Sequence, residues 1–171
     1  MKPWWQVAVP HRDIREGRIG DFAADLSSIV KGEASIEYID PETFFKRTHL
    51  TEGLKNIIRD VLIALAKEGE RGKVIQLQTP FGGGKTHALA CLYHLFKNGE
   101  GVQHIPDVRK ILDSIGLKNV PKVNIAVFVG TVPDPLKGKT PWGEIAEQLG
   151  AYELVKEHDE RRIAPGREII E

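Results

Sequence analysis

The sequence predicts an α/β fold: a layered αβα sandwich with parallel strands, incomplete within these 171 residues. Three observations predict it. The apolar run Val74-Ile75-Gln76-Leu77-Gln78 leads into a glycine-rich turn and then into a helical pattern. A second run, Lys122 to Val129, is nearly continuous in apolar residues, as expected of a strand covered on both faces. Helical periodicity separates the two runs, and strands alternating with helices build parallel sheets. Two strands are too few to stand alone, so the N-terminal segment, a partner or the rest of a larger domain is expected to add more.

Taken in order, Trp4, Trp5 and Val9 sit beside a charged run, His11 to Glu16. Asp21 reads as the N-cap of a short helix with Phe22, Leu26, Ile29 and Val30 on one face, stopped at Gly32. Asp40-Pro41 opens an element carrying Phe44 and Phe45, both expected in the core. From Glu52 to Lys67, residues Leu54, Ile57, Ile58, Val61, Leu62 and Leu65 make one apolar helical stripe. Thr51 is placed to cap its start, and Gly69 lies past its end. The helix after the glycine turn runs from Lys85 to Lys97 and closes at Asn98-Gly99, with a polar loop to His104. Pro106 begins another helix, with Val108, Ile111, Leu112 and Ile115 apolar, stopped at Gly116. A turn-rich loop from Gly130 to Lys139 precedes a short helix from Pro141 to Gly150 and a charged helical stretch to about Arg162.

Composition narrows the function classes. Lys+Arg and Asp+Glu are 24 each, so net charge draws the chain neither to nucleic acid nor to an acidic membrane. No apolar run is long enough to span a bilayer, and Met1 to Trp5 shows no signal-peptide core. A single cysteine, Cys91, excludes an internal disulfide framework. A cytoplasmic location and no membrane partner are expected.

The motif that carries chemistry is Thr79-Pro80-Phe81-Gly82-Gly83-Gly84-Lys85-Thr86. A glycine loop between a strand and a helix, ending in Lys-Thr, is the arrangement of a phosphate-binding P-loop. Residues Pro80, Phe81, Gly82, Gly83, Gly84, Lys85, Thr86 and His87 mark the phosphate cradle, its backbone N–H donors running from Phe81 to His87 because Pro80 has none. The helix N-terminus adds free donors and the positive end of its dipole. Lys85, the candidate catalytic residue, is positioned for the β- and γ-phosphates, and the Thr86 hydroxyl for magnesium. Thr79 stands where the usual pattern has its first glycine, and the three consecutive glycines partly offset this. ATP or ADP with Mg2+ is therefore the expected cofactor. Residues 1–50 are expected to pack on the core as an N-terminal segment, and residues 51–171 to form the nucleotide-binding domain.

Turnover by such a loop usually requires an acid at the end of an apolar strand to help hold magnesium. Here Gly130 follows Val129 in that place, so a Walker B acid is not evident, and Asp134 in the next loop is the nearest carboxylate. His87, Cys91 and His94 share one helix face, but no fourth ligand accompanies them, and packing explains them better than zinc. Trp4-Trp5 is better explained by packing than by base stacking. Phe44, Phe45 or Thr48 can border an adenine pocket. Glu144 and Glu147 read as a solvated face.

Several stretches resemble one family: Lys2-Pro3-Trp4-Trp5, Phe44 to Thr48 with Leu50-Thr51, Val74 to His87, Leu92-Tyr93-His94, and Thr140 to Glu144 with Gln148-Leu149-Gly150. Together they resemble a family of large prokaryotic AAA+-type ATPases catalogued as domain of unknown function 499. Thr79 agrees with that family's pattern. The resemblance implies a P-loop NTPase, AAA+-like, that hydrolyses ATP, encoded near DNA methyltransferases and linked to DNA modification or defence. It also implies a longer protein whose acidic strand lies beyond Glu171. The expected function is an ATP-binding domain of such an ATPase, with self-association or a larger assembly as partner and DNA reached only through partners. The alternative is a non-hydrolysing nucleotide-binding or assembly fragment that needs a partner chain or the missing C-terminal part. A small-molecule kinase is a third reading, with Arg161, Arg162 and Arg167 the only candidates for its lid.

Overall fold

The computed structural model describes residues 3, 7, 8, 15, 24–66, 73–79, 82–134 and 136–170. Regular structure among them is helical. In chain order the helices are α1 (Leu26–Lys31), α2 (Ile36–Ile39), α3 (Pro41–Arg47), α4 (Glu52–Ala66), α5 (Lys85–Lys97), α6 (Gly99–Val102), α7 (Pro106–Ser114), α8 (Pro141–Gln148), α9 (Tyr152–Glu160) and α10 (Arg167–Ile170).

Local chemistry sets most of these boundaries. Asp25 caps α1, its carboxylate accepting from the N–H groups of Ser27 and Ser28, and Gly32 ends the helix in the left-handed region. The expected cap at Asp21 and its neighbour Phe22 lie outside the described residues, as do Trp4, Trp5, Val9 and Gly69. Asp40 caps α3 through the Thr43 N–H, and Pro41 fills the first turn, where a missing N–H costs nothing. Thr51 Oγ1 accepts from the Leu54 N–H at 3.3 Å to start α4. The segment after Asn98, expected as a polar loop, is instead the single turn α6. Val102 explains the difference: it is fully buried, so the chain folds back to pack rather than crossing solvent.

The core is contiguous across these helices. Phe44 and Phe45 of α3, Leu54, Ile58 and Leu62 of α4, Ala90, Cys91 and Leu95 of α5, and Val108, Ile111 and Leu112 of α7 share one apolar cluster with Ile29 and Val102. Helix α5 is its centre, packed against α1, α3 and α6, while α4 packs on α7. Helices α8 and α9 form a hairpin.

The expected αβα sandwich with parallel strands is corrected by this structure: among the described residues there is no strand and no sheet. With the sheet go the P-loop, Walker A and AAA+ ATPase or hydrolase descriptions that presuppose it. Residues 73–79 and 121–129 do run as irregular chain. Ile75 and Leu77 are half-buried while Val74, Gln76 and Gln78 are exposed, a period-two alternation. What they lack is a ladder. A strand exists only through a partner backbone, and an apolar run specifies burial without supplying that partner. At Val127 the place of a neighbouring strand is taken by a side chain: the Val127 N–H donates to Gln148 Oε1 at 2.9 Å, and Gln148 Nε2–H donates to the Val127 carbonyl at 2.9 Å.

Candidate functional site

The glycine loop enters α5 as its residue types dictate. Gly82 and Gly84 have φ of 80° and 77°, a region that side chains with a Cβ rarely adopt. A Cβ added at either would meet open space, so conformation rather than crowding requires glycine there. The Gly84 carbonyl accepts the first helical bond, from the Ala88 N–H at 2.9 Å. No side chain caps the helix. The N–H groups of Thr86 and His87 consequently have no acceptor among the described residues.

Lys85 reaches back across the loop. Its Nζ donates to the Thr79 carbonyl at 3.0 Å and to Thr79 Oγ1 at 3.1 Å. Thr79 thereby gains a role that its departure from the glycine pattern did not suggest: its carbonyl and hydroxyl both accept from the Lys85 ammonium. Gly82, Gly83 and Gly84 are exposed, and Lys85, Thr86 and His87 are half-buried. Pro80 and Phe81 lie outside the described residues.

His87 ties this loop to α3. Its ring stacks on Phe44 with centroids 4.8 Å apart, and Nε2 lies 3.1 Å from Thr48 Oγ1. Tyr38 meets the same ring edge-on. Burial lowers the His87 pKa, so the ring is neutral at pH 7. Two helical turns on, His94 Nε2–H donates to the Tyr38 carbonyl at 2.7 Å. A carbonyl only accepts, which fixes the neutral tautomer and leaves Nδ1 a lone pair without a partner among the described residues. Burial lowers the His94 pKa too, against the opposing pull of that hydrogen bond and of Asp40. Cys91 between them is fully buried, its thiol pushed up to about 12 by desolvation. Each histidine is thus committed to a hydrogen bond within the fold. Among the described residues no group of three or more His, Cys, Asp or Glu is placed to hold a metal ion.

Of the residues that sequence reading considered around an adenine pocket, Phe44 and Phe45 are buried, while Thr48 is half-buried against His87. Asp134 is turned into its own loop, accepting from the N–H groups of Leu136 and Lys137 at 2.8 and 3.1 Å. Sequence reading missed Tyr38 and Asp159. Tyr38 gives no signal, because its carbonyl does the bonding. Asp159 sits in a charged run that looked solvated, yet it is buried and accepts from the Thr140 N–H at 2.8 Å, the Thr140 hydroxyl and the Tyr152 hydroxyl at 3.0 Å. Gly143 leaves room for it; a Cβ there would run into the carboxylate.

The sequence matches the DUF499 N-terminal domain family over residues 9–171, nearly the whole chain, and the protein belongs to that family. Comparison with curated proteins and with solved structures gave no match. No helix among the described residues is long and apolar enough to cross a membrane.

Proposed function

We propose that this chain binds the phosphates of a nucleotide, ATP or ADP accompanied by magnesium, at the start of α5, and that it does so without turning the nucleotide over. The observation that carries the reading is the Lys85 ammonium bonded back to Thr79, at a helix start where the N–H groups of Thr86 and His87 have no acceptor among the described residues. A cation and convergent backbone donors at the N-terminus of a 13-residue helix complement a phosphate. The donor set fits the phosphate part of the ligand. For magnesium the chain offers the Thr86 hydroxyl, with phosphate oxygens and water as the remaining ligands; the ion would offset phosphate charge. Binding without turnover is supported by Gly130 at the end of the second apolar run and by the engagement of Asp134 in its own loop. His87, fixed between Phe44 and Thr48, would keep the first turn of α5 in register with α3 when the ligand arrives.

The test is calorimetric titration of the full chain with magnesium-ATP, with phosphate release followed in the same samples. Saturable binding and no release above buffer is the expected result. Sustained release would overturn the binding-only reading, and no heat of binding would overturn the site.

A further inference from the structure

His94 lies where α5 meets α2 and α3, and it is 2% exposed. Its Nε2–H donates to the Tyr38 carbonyl at 2.7 Å, and its ring packs on Phe44 with centroids 5.0 Å apart. The ring's other nitrogen, Nδ1, is buried and has no hydrogen-bond partner among the described residues. A neutral imidazole tolerates this, because Nδ1 then carries only a lone pair. The imidazolium carries a second N–H there, a buried donor with no acceptor.

The surroundings do little for the extra charge. Among the described residues, Asp40, the cap of α3, is the charged group that acts on the ring. Its pull favours the cation, but its carboxylate accepts from the Thr43 N–H at 2.7 Å and makes no bond to the ring. Glu37 of α2 pairs with Arg47 of α3 at 3.0 Å, and Glu42 with Lys46 of α3 at 2.9 Å. Glu100 of α6 pairs with Lys122 at 2.9 Å, and Lys31 of α1 acts on Asp25. On α5 itself Cys91 is a neutral thiol and His87 Nε2 meets Thr48 Oγ1 at 3.1 Å, while Lys85 and Lys97 are not among the groups that act on His94. Desolvation therefore outweighs Asp40 and the Tyr38 bond, and it holds the ring below its ordinary 6.5.

We propose that His94 is an acid-sensitive latch: its neutral ring fastens residues 36–48, that is α2 and α3, onto α5, and a second proton on Nδ1 releases them. Release is a local opening of one segment. It withdraws Phe44, 1% exposed in the closed chain, from the core, and it parts Thr48 from His87 in the first turn of α5. A histidine that charges more readily when released than when docked leaves docking at full strength above about pH 6.5. Below that, opening rises by about tenfold for each pH unit until the docked ring itself titrates.

Hydrogen exchange of the full chain, read by mass spectrometry and corrected for the intrinsic pH dependence of exchange, tests the latch. Opening of residues 36–48 should rise about tenfold from pH 7.5 to pH 5.5. The α8–α9 hairpin, whose buried Asp159 is held below 3.8, is the internal reference. His94→Gln keeps an Nε2–H for the Tyr38 carbonyl but cannot take a second proton, and it leaves His87 and Asp40 in place. It should flatten the pH dependence whatever its constant cost to stability. An equal acid response in wild type and His94→Gln would overturn the latch. The wild-type chain gives a second reading that needs no variant, the NMR titration of the His94 Cε1–H. A ring that charges at pH 5.5 while residues 36–48 stay protected would also overturn it.

Discussion

Replacing Asp159 by alanine should loosen the α8–α9 hairpin by an amount the structure allows to be worked out. Three donors converge on this buried carboxylate: the Thr140 N–H, the Thr140 hydroxyl and the Tyr152 hydroxyl. Hydrogen bonds to a charged acceptor contribute about 1.5–3 kcal/mol each. Bonds that share one acceptor are not additive. The Thr140 hydroxyl also keeps its second contact, accepting from the Gly143 N–H at 3.2 Å. A net loss of about 3 kcal/mol is therefore expected. In a chain of 171 residues that lowers Tm by roughly 6–12 °C. Asp159→Asn keeps an oxygen for Thr140 and should lose about a third as much, near 1 kcal/mol. The pH dependence supplies a second readout. Desolvation pushes the Asp159 pKa up, but the hydrogen bonds from Thr140 and Tyr152 outweigh it and hold the group below its ordinary 3.8. A carboxylate with a depressed folded-state pKa stabilises the fold fully above the unfolded value and ceases to as pH falls through the folded one. The gap between wild type and Asp159→Ala should be constant at neutral pH and close below about pH 4. Urea denaturation at a series of pH values measures both. A gap under about 0.5 kcal/mol at pH 7, or one that persists unchanged into acid, would refute the reasoning.

Two further outcomes follow from the same structure. Gly84→Ala places a Cβ at φ 77° and should cost about 1–2 kcal/mol while weakening nucleotide binding; Gly53→Ala, in helical backbone with only Thr51 Oγ1 at 4.0 Å, should instead stabilise by up to about 1 kcal/mol. Paired thermal melts check this opposition of sign, and equal effects would contradict the backbone assignment. Cys91 should resist alkylation at pH 8 in the native chain and react on unfolding, since the thiol is buried with its pKa near 12; mass spectrometry showing rapid native labelling would place the thiol elsewhere.

The helices were largely legible in the sequence because their signals are local. Asp40-Pro41, Thr51, Pro106 and Gly116 act on the turn they belong to, and each marks a boundary in the structure. The stripe on α4 shows the limit of periodicity: Leu54, Ile58 and Leu62 are buried as expected, but Leu65 is 47% exposed. The sheet was misjudged for the opposite reason. Val74 to Gln78 and Lys122 to Val129 have strand-like composition, yet strand formation depends on a partner backbone that no local pattern reveals. The loop was legible as far as glycines, lysine and threonine go. Its supports are partly hidden in the sequence: Thr79 departs from the usual glycine yet accepts from Lys85, and the reach from His87 to Phe44 and Thr48 spans about 40 positions of sequence.

The central claim is that Lys85 and the glycine loop before α5 hold nucleotide phosphates. Calorimetric titration of wild type and Lys85→Ala with magnesium-ADP, side by side and with circular dichroism to verify the fold, tests it most directly. Losing charge-assisted bonds worth about 3 kcal/mol should weaken binding about 100-fold at unchanged helix content. Equal affinity in the two proteins would contradict the account.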